Sequence, residues 1–172
     1  LGKVPDGAGG TRLCWDLMPA DWTAQPELLQ PTGWEAAPLL QGTNVKAEYD
    51  RVTAGLDALL ASYGYTRHGG YYTCRETCEK TIVCFCHFGI TAVLLSHLWN
   101  VSPFAVLHGA FLAPTSVTVL NTEERQPGIA YFRCQIQVKA DIFAAVIFIA
   151  VRRKLCIESH YKLSACFCLC IC

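Results

Sequence analysis

Charge is scarce in this sequence. Only 16% of residues are Asp, Glu, Lys or Arg, and fourteen basic side chains balance fourteen acidic ones to a formal net charge of zero. A neutral balance excludes the strong one-signed field that holds nucleic acid or an anionic membrane surface, so neither is expected as a partner. Long hydrophobic runs are missing too. The longest, Ile142 to Val151, falls short of the roughly 20 apolar residues that a membrane-spanning helix needs. No charged segment leading into an apolar core opens the chain, so no signal peptide is read. The chain starts instead at Leu1 in a Gly-rich stretch, which reads as a processed or incomplete product. Histidine is limited to five positions.

Apolar side chains are plentiful. At 52% of 172 residues they suffice for one domain with a real core, and the length is short for two. Cysteine is abundant as well, with eleven residues. An odd count without a secretory leader argues against a disulfide framework and for reduced thiols in a cytoplasmic protein.

Residues 1–44 hold most of the proline and three of the four tryptophans with little periodicity, and read as loops with short helical turns near Pro19–Trp22 and Pro26–Leu29. From Asn44 the pattern changes. Val45, Tyr49, Val52, Leu56, Leu59 and Leu60 recur at three- and four-residue steps, predicting an amphipathic helix capped by Asn44 and ended by Gly64. Thr81–Cys86 is a near-continuous apolar run of β-formers, as in a strand buried on both faces. It stops at His87-Phe88-Gly89, and Ile90–Leu98 reads as an apolar helix. Tyr71–Thr73, Ser116–Leu120 and Ile129–Cys134 are further strands, the last two joined as a hairpin by Pro127-Gly128. Alternating helices and strands predict an α/β fold: a three-layer α/β/α sandwich around a mostly parallel sheet, incomplete at its N-terminus. The predicted domain covers residues 1–138. Residues 139–172 form a divergent Cys-rich tail, predicted helical over Asp141–Lys154 and then disordered through Cys166-Phe-Cys-Leu-Cys-Ile-Cys172.

His87 is the first candidate site residue. A histidine between a buried strand and a helix sits where open α/β sheets bind ligands, and the helix start offers free backbone N–H groups to a phosphate. The competing reading is a core histidine at a strand end. His108, after the apolar run Phe104–Leu107, is a candidate for the same pocket. Thr115 and Ser116 precede a strand, where hydroxyls either reach a phosphate or cap a turn. Cys74, Cys78, Cys84 and Cys86 invite a zinc reading. However, Cys84 and Cys86 alternate on a strand rather than forming a Cys-x2-Cys knuckle, which favours small buried thiols over a metal site. No metal and no cofactor is expected.

Taken in order, these segments resemble a known family. Thr81-Ile-Val-Cys-Phe-Cys-His-Phe-Gly-Ile-Thr-Ala-Val-Leu-Leu-Ser-His97 resembles the second-histidine motif of the histidine phosphatase superfamily, in its phosphoglycerate-mutase-like branch. Pro114–Leu120 resembles that family's following strand, Gly128–Arg133 its hairpin partner, and Trp15–Thr23 a segment of one bacterial subgroup. The resemblance runs from about Cys14 to Gln137 and rests on the order of segments more than on any one of them. It implies a phosphomonoesterase with a phosphohistidine intermediate acting on a small phosphate monoester. In that mechanism the histidine of an Arg-His-Gly motif is the nucleophile, arginines and a second histidine neutralise the phosphoryl oxygens, and a carboxylate protonates the leaving group. His87 takes the second-histidine role.

Arg67-His68-Gly69 spells the nucleophile motif, but its surroundings differ. The family places that motif after the first buried strand, whereas this triplet follows a helix end and leads into Gly70-Tyr71-Tyr72, which predicts a turn. The nucleophile, the second arginine and the acid of the family are therefore not found. The chain is expected to be an inactive fragment, with a non-enzymatic α/β binding or self-associating module as the alternative. An open sheet edge would mediate that self-association.

Overall fold

A computed structural model describes residues 3–75, 78–113, 116–136, 146–151 and 166–170. The chain divides into two compact units, Leu1–Leu56 with Ala92–Phe111, and Asp57–Thr91 with Leu112–Cys172.

The first unit opens with a two-stranded antiparallel sheet, β1 (Lys3–Pro5) and β2 (Thr11–Leu13), in which Val4 faces Arg12. Asp6 builds the connection: its Oδ1 accepts the amides of Ala8 and Gly10, each at 2.8 Å. Those backbone bonds hold the Asp6 carboxyl below its ordinary pKa. Next come a 3-10 turn (Cys14–Asp16), helix α1 (Pro19–Ala24) and further 3-10 turns at Pro26–Leu29, Trp34–Ala36 and Pro38–Leu40. Proline opens α1 and two of these turns, where its missing N–H costs nothing. The expectation of loops and short helical turns before Asn44 holds, apart from the small sheet.

Helix α2 (Val45–Ser62) begins and ends where the apolar spacing placed it, with Gly64 left-handed at φ +88°. Val45, Val52, Leu56 and Leu60 are its buried stripe. Trp34 anchors the first unit's core, meeting Tyr49 edge-on at 5.1 Å and Phe104 at 5.7 Å. Helix α4 (Pro103–Gly109) is capped by Ser102, whose hydroxyl accepts the Phe104 amide at 3.1 Å and donates to the carbonyl of Leu28.

The second unit contains a seven-stranded sheet. Its strands are β3 (Tyr65–His68), β4 (Tyr71–Cys74), β5 (Lys80–Phe85), β6 (Val117–Gln126), β7 (Ile129–Ile136), β8 (Val146–Val151) and β9 (Cys166–Cys170), in the spatial order β3-β4-β7-β6-β8-β5-β9. Helix α3 (Phe88–Trp99) follows β5. Alternation is clear on β6, where Thr118, Leu120 and Thr122 are buried, and it continues through Ala130 and Phe132 on β7 and Tyr72 and Cys74 on β4. Tyr72 and Phe132 pack edge to face at 5.3 Å. The Tyr72 hydroxyl donates to Asp57 at 2.6 Å, and burial, then the Asp57 carboxylate, raises its pKa.

The expected mostly parallel sheet in a three-layer sandwich is overturned. Pairs β3–β4, β4–β7, β6–β7 and β5–β8 are antiparallel, and only β6–β8 and β5–β9 are parallel. Two tight connections force much of this, since a two-residue link can only reverse a strand. Gly69-Gly70 joins β3 to β4 and Pro127-Gly128 joins β6 to β7, with Gly69 at φ +58° and Gly128 at φ +78°. The strand–helix step at β5 is present as read, yet it does not lead to a neighbouring parallel strand. β6 lies two places away, and the strand between them is β8.

Two expectations for the tail are corrected as well. Val146–Val151, inside the segment read as helix, is a strand paired with both β5 and β6. Cys166–Cys170, read as disordered, is a strand running parallel to β5 with Cys168 opposite Val83. Both corrections follow from residue type: the first is rich in Val and Ile, and the second is a short apolar run of the length that strands have.

Candidate functional site

The sequence between β5 and α3 places its histidine on the surface. Ile82, Val83 and Cys84 are buried in consecutive positions, which fixes β5 as a strand covered on both faces. Phe85 and His87 are exposed, so the chain reaches solvent just as the strand ends. The His87 carbonyl accepts the Thr91 amide at 2.9 Å, the first hydrogen bond of α3. The amides of Phe88, Gly89 and Ile90 thus belong to the first helical turn, where no intrahelical acceptor exists for them. Cys86 lies in the same turn, with its sulfur 3.2 Å from the Thr91 hydroxyl. A surface imidazole beside unpaired helical amides can hold an oxyanion by charge and hydrogen bonds together. Of the two readings of His87, the buried core histidine is excluded by its exposure.

Ser116 is half-buried just before β6, and its amide donates to the Ala113 carbonyl at 3.1 Å. Among the described residues, Ser116 and His87 share no hydrogen bond. Thr115 lies outside the described residues. His108 belongs to the other unit, at the end of α4, where its ring lies on Trp22 with centroids 4.5 Å apart.

Arg67-His68-Gly69 is not the turn that the sequence suggested. Arg67 and His68 are the last two residues of β3, paired with Tyr72 and Tyr71, and the turn is Gly69-Gly70. Arg67 lies over the Tyr72 ring at 5.0 Å, and the exposed His68 ring faces Tyr71 at 5.2 Å. The triplet closes a hairpin and does not open a helix.

Two charged clusters were not singled out from sequence. On β6 and β7, the Glu123 carboxylate accepts the Tyr131 hydroxyl at 2.6 Å and pairs with Arg133 at 3.1 Å and Arg125 at 3.4 Å. The Tyr131 bond first, then the two guanidinium groups, holds Glu123 below the ordinary carboxylate range. The legible signal was the hairpin register, which sets Glu123 directly opposite Tyr131. In the first unit Arg12 bonds Asp21 at 2.9 Å, and the same carboxylate accepts the Met18 amide at 2.7 Å at the start of α1. Asp three residues after a helix-starting position, with Pro between, was the available signal.

A cavity of about 200 Å³ in the first unit is lined by Trp34, Glu35, Leu40, Gln41, Thr43 and Lys46. Several of its polar groups are already engaged: Lys46 pairs with Asp50 at 2.6 Å, the Thr43 hydroxyl donates to the Leu40 carbonyl at 2.7 Å, and the Gln41 amide reaches the carbonyls of Glu35, Ala36 and Ala37. Burial raises the thiols of Cys14, to about 11, and Cys134, and this keeps both in the unreactive protonated form. Among the described residues, no three His, Cys, Asp or Glu side chains gather as a metal site would require, and no helix is long and apolar enough to cross a membrane. In comparisons with protein families, curated proteins and solved structures, none matches this chain.

Proposed function

We propose that this chain binds a small phosphate monoester at the β5–α3 turn, as a histidine-phosphatase-like protein would, with His87 contacting the phosphoryl group. One observation carries the reading: a strand buried on both faces ends at an exposed histidine that immediately opens a long helix. The imidazole and the first-turn amides then act on the same oxyanion from adjacent positions. Ser116 is a secondary candidate for a hydroxyl contact. His108, stacked on Trp22, is taken up by its own surroundings.

Binding is not turnover. The one Arg-His-Gly among these residues ends a hairpin strand, with its arginine held over Tyr72. These residues therefore supply a phosphate-contacting histidine without a nucleophile placed to attack phosphorus. The expected outcome is that inorganic phosphate perturbs the His87 ring and the Phe88–Ile90 amides in an NMR titration, while no aryl phosphate is hydrolysed. Perturbations that survive His87→Ala unchanged would overturn the site. Hydrolysis abolished by His68→Ala would overturn the reading of the triplet.

A second reading, a non-enzymatic self-associating module, is favoured by the sheet itself. β3 and β9 are its outermost strands among the described residues, and an unpaired strand edge recruits another strand. Concentration-dependent mass in sedimentation, lost in the Thr66→Lys variant of the exposed β3 position, is the result this reading expects.

A further inference from the structure

Acidic groups from two elements of the first unit act on one imidazole. His108, near the end of α4, lies on the Trp22 ring of α1 at 4.5 Å and 32°. Its Nε2 is buried and has no hydrogen-bond partner. Helix α4 packs against the 3-10 turns Cys14–Asp16 and Pro26–Leu29. Those turns carry Cys14, Asp16 and Glu27, and α1 carries Asp21, which pairs with Arg12 of β2; of these, Asp21 and Asp16 act on the imidazole by charge. Cys14 stays protonated, because burial pushes its thiol up. The Asp21 carboxylate is fully committed, to the Arg12 guanidinium and to the Met18 amide that starts α1.

We propose that His108, Trp22 and Asp21 form an acid-operated latch: the neutral imidazole holds α1 to α4 through its stack on Trp22, and protonation at Nε2 breaks the stack by drawing Asp21 away from Arg12 and Met18. The buried nitrogen is what makes the latch sensitive. As a neutral acceptor it is tolerated without a partner, but as a charged N–H donor it demands one. A cation is attracted to an indole face, but that attraction offers the buried Nε2–H no acceptor, so protonation favours a ring position that has one. Burial opposes the charged imidazole and is the larger influence, whereas Asp21 and Asp16 both favour it, so His108 takes up its proton at a lower pH than an ordinary histidine. Below the ordinary histidine value the opened form binds the proton first. The closed latch is therefore fully favoured above that value and loses its advantage as the pH falls toward the native one.

The test uses the whole chain. An imidazolium quenches indole emission where a neutral imidazole does not, and the chain has four tryptophans, so Trp22→Phe isolates the Trp22 signal. Acidification is expected to produce a reversible loss of Trp22 emission with a midpoint below about 6.5, the ordinary histidine value. Over the same range the Met18 amide should lose hydrogen-exchange protection, after correction for intrinsic pH dependence. His108→Gln removes both changes, and Asp21→Asn moves the midpoint lower still by deleting a group that favours protonation. An emission change that persists in His108→Gln overturns the latch. A substitution at a partly buried ring can unfold the chain, so the wild-type chain with ¹³C-labelled histidine provides an independent measurement. A His108 resonance titrating at or above the ordinary value, or Met18 protection that is constant through its titration, also overturns it.

Discussion

Two strands of this chain run into a histidine and a glycine, and they lead to different structures. β3 ends at His68, and Gly69 takes φ +58° to fold the chain straight back into β4. β5 ends just before Cys86-His87, and the chain continues through Phe88-Gly89 into α3. The letters of a phosphatase motif are on the hairpin, while the strand–helix turn, which we propose for phosphate, carries the other histidine. The residues beyond each histidine decide the matter. A second glycine and then Tyr71-Tyr72-Thr73 favour a returning strand, whereas Ile90 to Leu98 provides a helix that buries Ala92, Val93, Leu94 and Leu95.

The hairpin side of this comparison is a packing element, and the largest expected effect tests that. Phe132 is 4% exposed and meets Tyr72 edge to face beside the β3–β4 hairpin. Phe132→Ala should cost about 3–5 kcal/mol in urea denaturation, through lost burial and the cavity left behind. A loss below about 1 kcal/mol would mean that the aromatic pair does not hold the hairpin in place, and the contrast with β5 would lose its basis.

The turn itself gives a smaller effect. Nothing lies within 4 Å of a Cβ added at Gly69, so crowding is not an issue there and only the positive φ matters. Gly69→Ala should lower stability by about 1 kcal/mol, and Gly69→Asn should recover part of that because Asn tolerates the left-handed region. Equal losses for the two variants would show that the turn changes conformation when substituted and that its glycine is not required by φ.

Much of the fold was legible locally, and the failures were long-range. The three- and four-residue spacing of α2, the continuous apolar core of β5 and the Pro127-Gly128 turn each depend on neighbours in sequence, and each element formed where it was read. Sheet direction depends on which strand comes to lie between β5 and β6. That strand is β8, from a segment whose unbroken apolar run fits a helix and a strand equally well. The β-branched Val146, Ile147, Ile149 and Val151 were the cue that should have decided it. The candidate site divides in the same way. The strand–helix step at His87 was legible because its strand and helix are adjacent in sequence. The Arg12–Asp21 pair was missed because it links β2 to α1 across intervening turns, and so was the stack of His108 on Trp22, which joins residues far apart in the chain.

The smallest effect on stability is the one that best separates the two histidines. Both are exposed, so neither His68→Ala nor His87→Ala should change the unfolding free energy by more than about 0.5 kcal/mol. His68 loses only a ring contact with Tyr71 at 5.2 Å, and His87 loses a side chain whose backbone carbonyl still starts α3. With stability unchanged in both, any difference in phosphate binding reports the site alone. Phosphate titrated against the two variants should bind the His68→Ala chain like wild type and the His87→Ala chain more weakly, because only His87 stands beside amides that a helix leaves unpaired. Equal weakening in both variants would assign the binding to general surface charge, and weakening in His68→Ala alone would return the function to the hairpin triplet.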